Sequence, residues 1–278
     1  MKGFITLILL AACLTLQGQT HSVPMLDNFL YGVSLGLNNE FSYVEKFGQN
    51  DDIDTNSDPE DLWGGAGLYA GHPTGSAEVV EVFSGSDVDS IGLTGALTVE
   101  IQGLDDDGAL QRDTITLRGS VEVETTNTYD RVFRLRVLTG GSGGANVGAI
   151  TCRHATTTAN VFAVIPAGVN QSLVAAYTVP FGYTAIITSF QVNMTVSAGV
   201  AGSAIVSFRV REPGGVYRSV VYEQVTTTKG LNMELKGGLK LPALTDLLVR
   251  VENVSGNNTA ASSAIGILLI QSNIIPNQ

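Results

Sequence analysis

The sequence predicts an all-β protein: two β-sandwich domains, the C-terminal one jelly-roll-like, preceded by an extended N-terminal arm. Three observations carry that expectation. Hydrophobic residues make up 44% of the 278 positions and charged residues only 15%, which suits packed cores and argues against a disordered chain. The 32 glycines, with abundant threonine, valine and serine and few lysines, fit short strands joined by tight turns. Apolar and polar residues also alternate in segment after segment, from Leu97 to Leu269, as half-buried strands require.

The first element is residues 1–20. Lys2 followed by an apolar run reads in two ways: a secretory leader, in which residues 10–13 (Leu-Ala-Ala-Cys) match a lipidation box, or an apolar arm for a neighbouring subunit. The run is too short to span a bilayer comfortably. Residues 21–74 read as the extended arm. Within it Leu26, Phe29, Leu30 and Val33 have helical spacing, while Gly32 and Gly36 limit any helix to a short one.

The arm ends in an unusual loop. Residues 51–61 hold six acids, followed by the only tryptophan, Trp63, and a Gly-Gly-Ala-Gly run. Asp52, Asp54, Asn56 and Asp58 alternate like the first ligands of a calcium loop. Such a loop needs glycine at its sixth position and glutamate at its twelfth, where Ser57 and Trp63 stand. A turn, or an acidic strap hydrogen-bonded to backbone amides, is the preferred reading. Residues 58–61 (Asp-Pro-Glu-Asp) look like a helix start, one turn of which would carry Leu62 and Trp63 inward before Gly64 and Gly65 stop it.

Residues 75–155 form the first predicted sandwich. Leu97, Val99 and Ile101 alternate with Thr98, Glu100 and Gln102. Asp107-Gly108 marks a hairpin, Ile115 and Leu117 return, and Val132, Phe133, Leu135 and Val137 make a further strand. The Gly-rich stretch 140–148 lacks the lysine and helix of a phosphate loop. The tract 155–160 (ATTTAN) marks a boundary, and residues 156–278 form the second sandwich. Its strands are read from Phe190–Val192–Met194, Val206–Phe208–Val210, Leu231–Met233–Leu235, Leu247–Val249–Val251 and Ile265–Ile267–Leu269.

The chemistry points away from several functions. A net charge of −11 without a basic run disfavours nucleic acid as a partner. Cys13 and Cys152 define no disulfide framework, and Cys152 reads as a small buried residue although His154 shares its strand face. His21, His72 and His154 lack metal-ligand spacing, no Gly-x-Ser-x-Gly elbow occurs, and the acids Asp105, Asp106 and Asp107 sit at a hairpin tip. No enzyme, cofactor or metal is expected. Tyr183, Tyr217 and Tyr222, near turns, are candidates for stacking on sugars, with packing the commoner role.

Several segments in order resemble structural proteins of tailed-bacteriophage virions. They are Phe-Gly-x-Asn-x-Asp-Ile-Asp-Thr leading into Pro-Glu-Asp-x-Trp (residues 47–63) and Ala-Glu-Val-x-Glu-Val (77–82). Further along come Ile-Gln-Gly-Leu-Asp (101–105), Arg-Val-Phe-Arg (131–134), Gly-Gly-x-Asn-x-Gly-x-Ile-Thr (143–151), Val-Ile-Pro-Ala-Gly (164–168), Tyr-Thr-Val-Pro (177–180) and Arg-Glu-Pro-Gly-Gly-Val-Tyr (211–217). The resemblance spans most of residues 46–251 and transfers no catalytic residue. It implies a virion protein that decorates or projects from the capsid, self-associates (a trimer is expected) and contacts the major capsid protein or other virion proteins. The arm and the acidic loop would attach it, with Phe47, Asp54, Glu60, Trp63 and Tyr69 at the interface. The alternatives are a tail or fibre component, and a secreted surface adhesin that binds host glycans, which the leader-like start favours.

Overall fold

The structure, a computed structural model, describes residues 25–57, 59–73, 75–196 and 201–275. Helix α1 (Met25–Ser34) comes first, with Phe29 edge-on to Phe41 at 5.0 Å and Val33 buried, as the helical spacing predicts. Everything after it is strand and turn. The strands are β1 (Phe41–Ile53), β2 (Glu60–Asp61), β3 (Glu78–Ser84), β4 (Ala96–Leu104), β5 (Leu110–Thr116), β6 (Val123–Tyr129), β7 (Arg131–Gly140) and β8 (Ile150–His154). They continue with β9 (Val161–Ile165), β10 (Ala176–Thr178), β11 (Tyr183–Val196), β12 (Ser203–Arg211), β13 (Arg218–Thr226), β14 (Leu231–Leu241), β15 (Asp246–Val254) and β16 (Thr259–Gln271). Among the described residues no helix is long and apolar enough to cross a membrane.

Two antiparallel sheets, β1-β16-β11-β14 and β10-β15-β12-β13, pack face to face. Numbered in chain order, their eight strands give sheet orders 1-8-3-6 and 2-7-4-5, the jelly-roll arrangement with two Greek keys. The core between them is built by the alternation read from sequence: Phe190, Val192, Val206, Phe208, Leu247, Val249, Val251, Ile265 and Ile267 are fully buried. Phe190 stacks on Phe208 at 5.3 Å across the sandwich.

The other strands, β3 to β9, make a second sandwich from sheets β6-β3-β8-β9 and β5-β4-β7. Its core holds Val80, Val82, Val99, Ile101, Ile115, Leu117, Leu135, Ile150 and Phe162. This sandwich is inserted into the jelly roll. The chain leaves the jelly roll after β2 and returns at β10, and both pair with β15: Asp61 opposite Arg250, Ala176 opposite Leu248. Between these pairs Leu62 N–H donates to Val249 O, Val249 N–H to Ala175 O and Ala175 N–H to Leu62 O. The second jelly-roll strand is therefore shared by β2 and β10, and entry and exit lie side by side, the geometry that lets a fold accept an insertion.

Three sequence readings change. Residues 41–53 are the first jelly-roll strand, paired along β16 from Phe41–Ile270 to Ile53–Thr259, rather than part of an arm. Its inward positions include Val44, Lys46, Gly48 and Asn50, so no apolar alternation announces it. Residues 60–61 are a strand instead of a helical turn, because β15 offers open backbone groups there; Leu62 and Trp63 still point inward. The domain boundary at 155/156 also differs. β9 pairs with β8, so residues 155–160 are a turn inside the inserted sandwich, and the chain re-enters the jelly roll only near Ala175.

Candidate functional site

The most chemically dense part of the molecule is the seam between the two sandwiches, built around residues 60–73. Its apolar layer crosses the boundary in both directions. Leu104 and Phe133 of the inserted sandwich join the jelly-roll core, while Trp63, Val174, Ala176 and Leu248 join the inserted core. Trp63 is 5% exposed, donates its indole N–H to Gly67 O (3.0 Å) and meets the Tyr69 ring edge-on at 5.3 Å.

Two buried carboxylates anchor this segment. Glu60 accepts from Asn50 Nδ2 and Gly67 N–H, each at 2.8 Å, and from the Ser57 hydroxyl. Asp61 accepts from Arg250 Nε (2.6 Å) and Nη2 (3.0 Å) and from Tyr69 N–H (2.7 Å). A bidentate guanidinium with an added backbone donor is the arrangement that offsets the desolvation of a buried carboxylate.

Asp246, at the start of β15, is the hub. Its carboxylate accepts from Thr178 Oγ1 (2.6 Å), from Arg131 Nε (3.1 Å) and Nη2 (3.3 Å), and from Arg211 Nε (2.9 Å). Arg131 comes from the inserted sandwich and Arg211 from the jelly roll, so one carboxylate ties both units together. The guanidiniums also donate to the carbonyls of Pro73 and His72, each at 3.0 Å, which pins the connecting segment. Burial alone would raise the Asp246 carboxyl. The charges of His72, protonated where this carboxyl titrates, and of Arg131, with the bonds from Arg131 and Thr178, reverse that and hold it well below the usual carboxylate range.

His72 completes the cluster. Nδ1 lies 2.6 Å from Tyr217 Oη, Nε2 lies 3.9 Å from Asp246, and the ring is edge-on to Tyr69 at 5.1 Å. Arg211 and Arg209 cover the face of Tyr217 at 4.8 and 5.4 Å. Burial lowers the His72 pKa to about 4; Asp246 pulls it upward, while Arg131 and Arg211 oppose protonation. An unfolded histidine titrates near 6.5, so below that value the unfolded chain takes up a proton that the folded chain refuses. Stability should therefore fall as the pH drops from about 6.5 to about 4, by about 3 kcal/mol in all. Urea unfolding of His72→Gln should show a flattened slope in this window; an unchanged slope would remove His72 as its source.

The residues singled out from sequence separate into two groups. Glu60, Trp63 and Tyr69 come together, but in a contact within the chain. Glu60 and Trp63 are buried and Tyr69 half-buried, its hydroxyl donating to Val132 O (3.3 Å), so little of this group is left to offer another subunit. Asp54 lies in the turn after β1, where its carboxylate accepts from Asn258 N–H (2.7 Å), as an acidic strap would. Phe47 stands half-buried on β1 and lines a groove beside that strand. Of the acids compared with a calcium loop, Asp58 lies outside the described residues. No group of three or more His, Cys, Asp or Glu is placed to hold a metal ion among the described residues.

The tyrosines considered for sugar stacking are dispersed. Tyr183 packs on the jelly-roll core, Tyr217 lies in the seam, and Tyr222 is exposed on β13. Cys152 is fully buried, and burial pushes its thiol pKa up, the reverse of an activated nucleophile. His154 points to Asn160 and Glu78. The sequence reading places Asp61 in a helix start and sets His72 aside for want of metal-ligand spacing, and it passes over Asp246 and Arg250. A signal existed: Asp246 and Arg250 are lone charges in the apolar run Leu-Thr-Asp-Leu-Leu-Val-Arg-Val, a pattern that calls for buried partners.

Neither a protein-family model nor a curated protein matches the chain. Among solved structures it has weak likeness to infectious bursal disease virus, Gx strain, at 9% identity and a TM-score of 0.26, covering 85% of this chain and 74% of that one. The exported protein XepA of PBSX matches at 9% identity and a TM-score of 0.20, over 81% and 84% of the two chains. These likenesses lie below the level at which a shared fold is established.

Proposed function

We propose that this chain is a non-enzymatic structural protein of a bacteriophage virion, a capsid decoration or head-fibre subunit that self-associates and contacts the major capsid protein. The observation that carries the reading is the architecture: a jelly roll whose second strand is interrupted by an inserted second sandwich, with the two fixed by saturated ion pairs. Asp246 and Asp61 spend their oxygens on guanidiniums, so they serve as counter-ions that lock the shape. The ordered likeness across residues 46–251 supports the same role. So does the treatment of one open edge: Lys229, Lys236 and Lys240, three of the chain's five lysines, lie on or beside β14, where they discourage strand-to-strand aggregation of crowded copies.

Attachment through the arm and the acidic loop must be revised, since residues 41–53 are a jelly-roll strand and residues 60–71 belong to the seam. Among the described residues the strands of both sandwiches begin at Phe41, and we assign attachment to residues 1–38. A chain beginning at Asn39 should keep its melting temperature to within a few degrees and lose incorporation into particles. Normal incorporation of that folded, shortened chain would refute the assignment.

A further inference from the structure

The seam opens on one side into a groove of about 670 Å³ between the edge of β1 and the outer face of sheet β5-β4-β7. Register puts three guanidiniums on that face. Arg112 and Arg134 flank Gln102 in one cross-strand row, and Arg136 stands beside Glu100 in the next. Two strand spacings separate Arg112 from Arg134, about 10 Å. Glu100 is already committed: it accepts from Arg136 Nε (2.8 Å) and Nη2 (3.3 Å) and from Gln102. Arg134 has one backbone acceptor, Glu45 O at 2.9 Å. Arg112 has no hydrogen-bond or ion-pair partner among the described residues, and the exposed Glu45 carboxylate on the facing wall pairs with neither. A chain of net charge −11 thus keeps unsatisfied guanidinium donors in a concave site walled by Tyr43 and Phe47.

We propose that this groove binds an acidic saccharide chain, its carboxylates held by Arg112 and Arg134 and its rings lying against Tyr43 and Phe47. Planar guanidiniums match carboxylates in bidentate fashion, and the separation of the two suits a ligand with repeated acids rather than a single small anion. An added peptide strand is disfavoured, because the Glu45 carbonyl on the β1 edge is already taken by Arg134. The chain's own residues 1–24 contain no acid and do not complement the charge.

The test is titration of the full chain at low salt with oligogalacturonate, with neutral dextran oligomers and poly-glutamate of similar length as competitors. Oligogalacturonate should bind, weaken with added salt, and lose affinity by about tenfold or more in Arg112→Ala and in Arg134→Gln. Dextran should not bind, and poly-glutamate should bind at least about tenfold more weakly. Arg112 has no hydrogen bond or ion pair to lose among the described residues, and its charge acts on Glu100 only at a distance, so Arg112→Ala should melt within a few degrees of the parent. Absence of binding, insensitivity to both substitutions, or equal binding of poly-glutamate would each overturn the proposal. Particle incorporation of Arg112→Ala reports on the structural role separately, and should be normal.

Discussion

An Asp246→Ala chain is expected to lose about 3–5 kcal/mol of stability, the effect of leaving buried charges without their counter-ion. The Asp246 side chain is 4% exposed and the Arg131 and Arg211 side chains 12% and 16%, so water has little access to replace the lost carboxylate. Three elements lose their tie at once: β7 through Arg131, β12 through Arg211 and β10 through Thr178. Trp63 is the natural probe, since it is the only tryptophan and sits in the seam. Its emission should shift to the red at lower denaturant in the variant than in the parent. A variant with the parent's unfolding midpoint would mean that the Asp246 cluster does not hold the two sandwiches together.

Gly48→Ala is expected to be at least as damaging, by a steric route. A Cβ at this position would stand 2.2 Å from Ala175 N and 2.3 Å from Leu62 O, backbone atoms of the two segments that carry the chain out of the jelly roll and back. Neither can move without breaking its bonds along β15. Overpacking ordinarily costs about 1–3 kcal/mol, and here relief requires separating β1 from the exit and entry strands, so the loss should reach or exceed the upper figure. Gly32→Ala is the control. Nothing lies within 4 Å of its Cβ, and the site is helical, so a gain of up to about 1 kcal/mol is expected. A Gly48→Ala chain that melts like the parent would contradict the placement of β1 as the first jelly-roll strand.

Much of the fold was legible because strands such as β11, β12 and β15 bury every second residue, and period-two alternation is written directly in their side chains. The jelly-roll assignment followed from such strands. β1 was not legible. It is an edge strand lying against the seam, and its inward positions are filled by glycine, asparagine and a lysine whose ammonium reaches the Phe133 carbonyl. The insertion was hidden for a related reason: β2 is two residues long and is defined by its partner β15, about 190 positions away in sequence, rather than by its own pattern. Within the site, the acid-Trp segment was visible as unusual, and Trp63, Glu60 and Tyr69 do belong together. What sequence could not supply was the identity of their partners. Asp246, Arg131, Arg211 and Arg250 reach the seam from distant strands, so an intrachain lock reads locally like a surface for another molecule.

The most direct test of the virion assignment is quantitative mass spectrometry of density-purified particles, alongside the membrane and medium fractions of the same culture. A virion protein should appear in the particle band at a fixed ratio to the major shell protein, unchanged by repeated banding. Recovery in the membrane or medium, with none in the banded particles, would contradict that assignment.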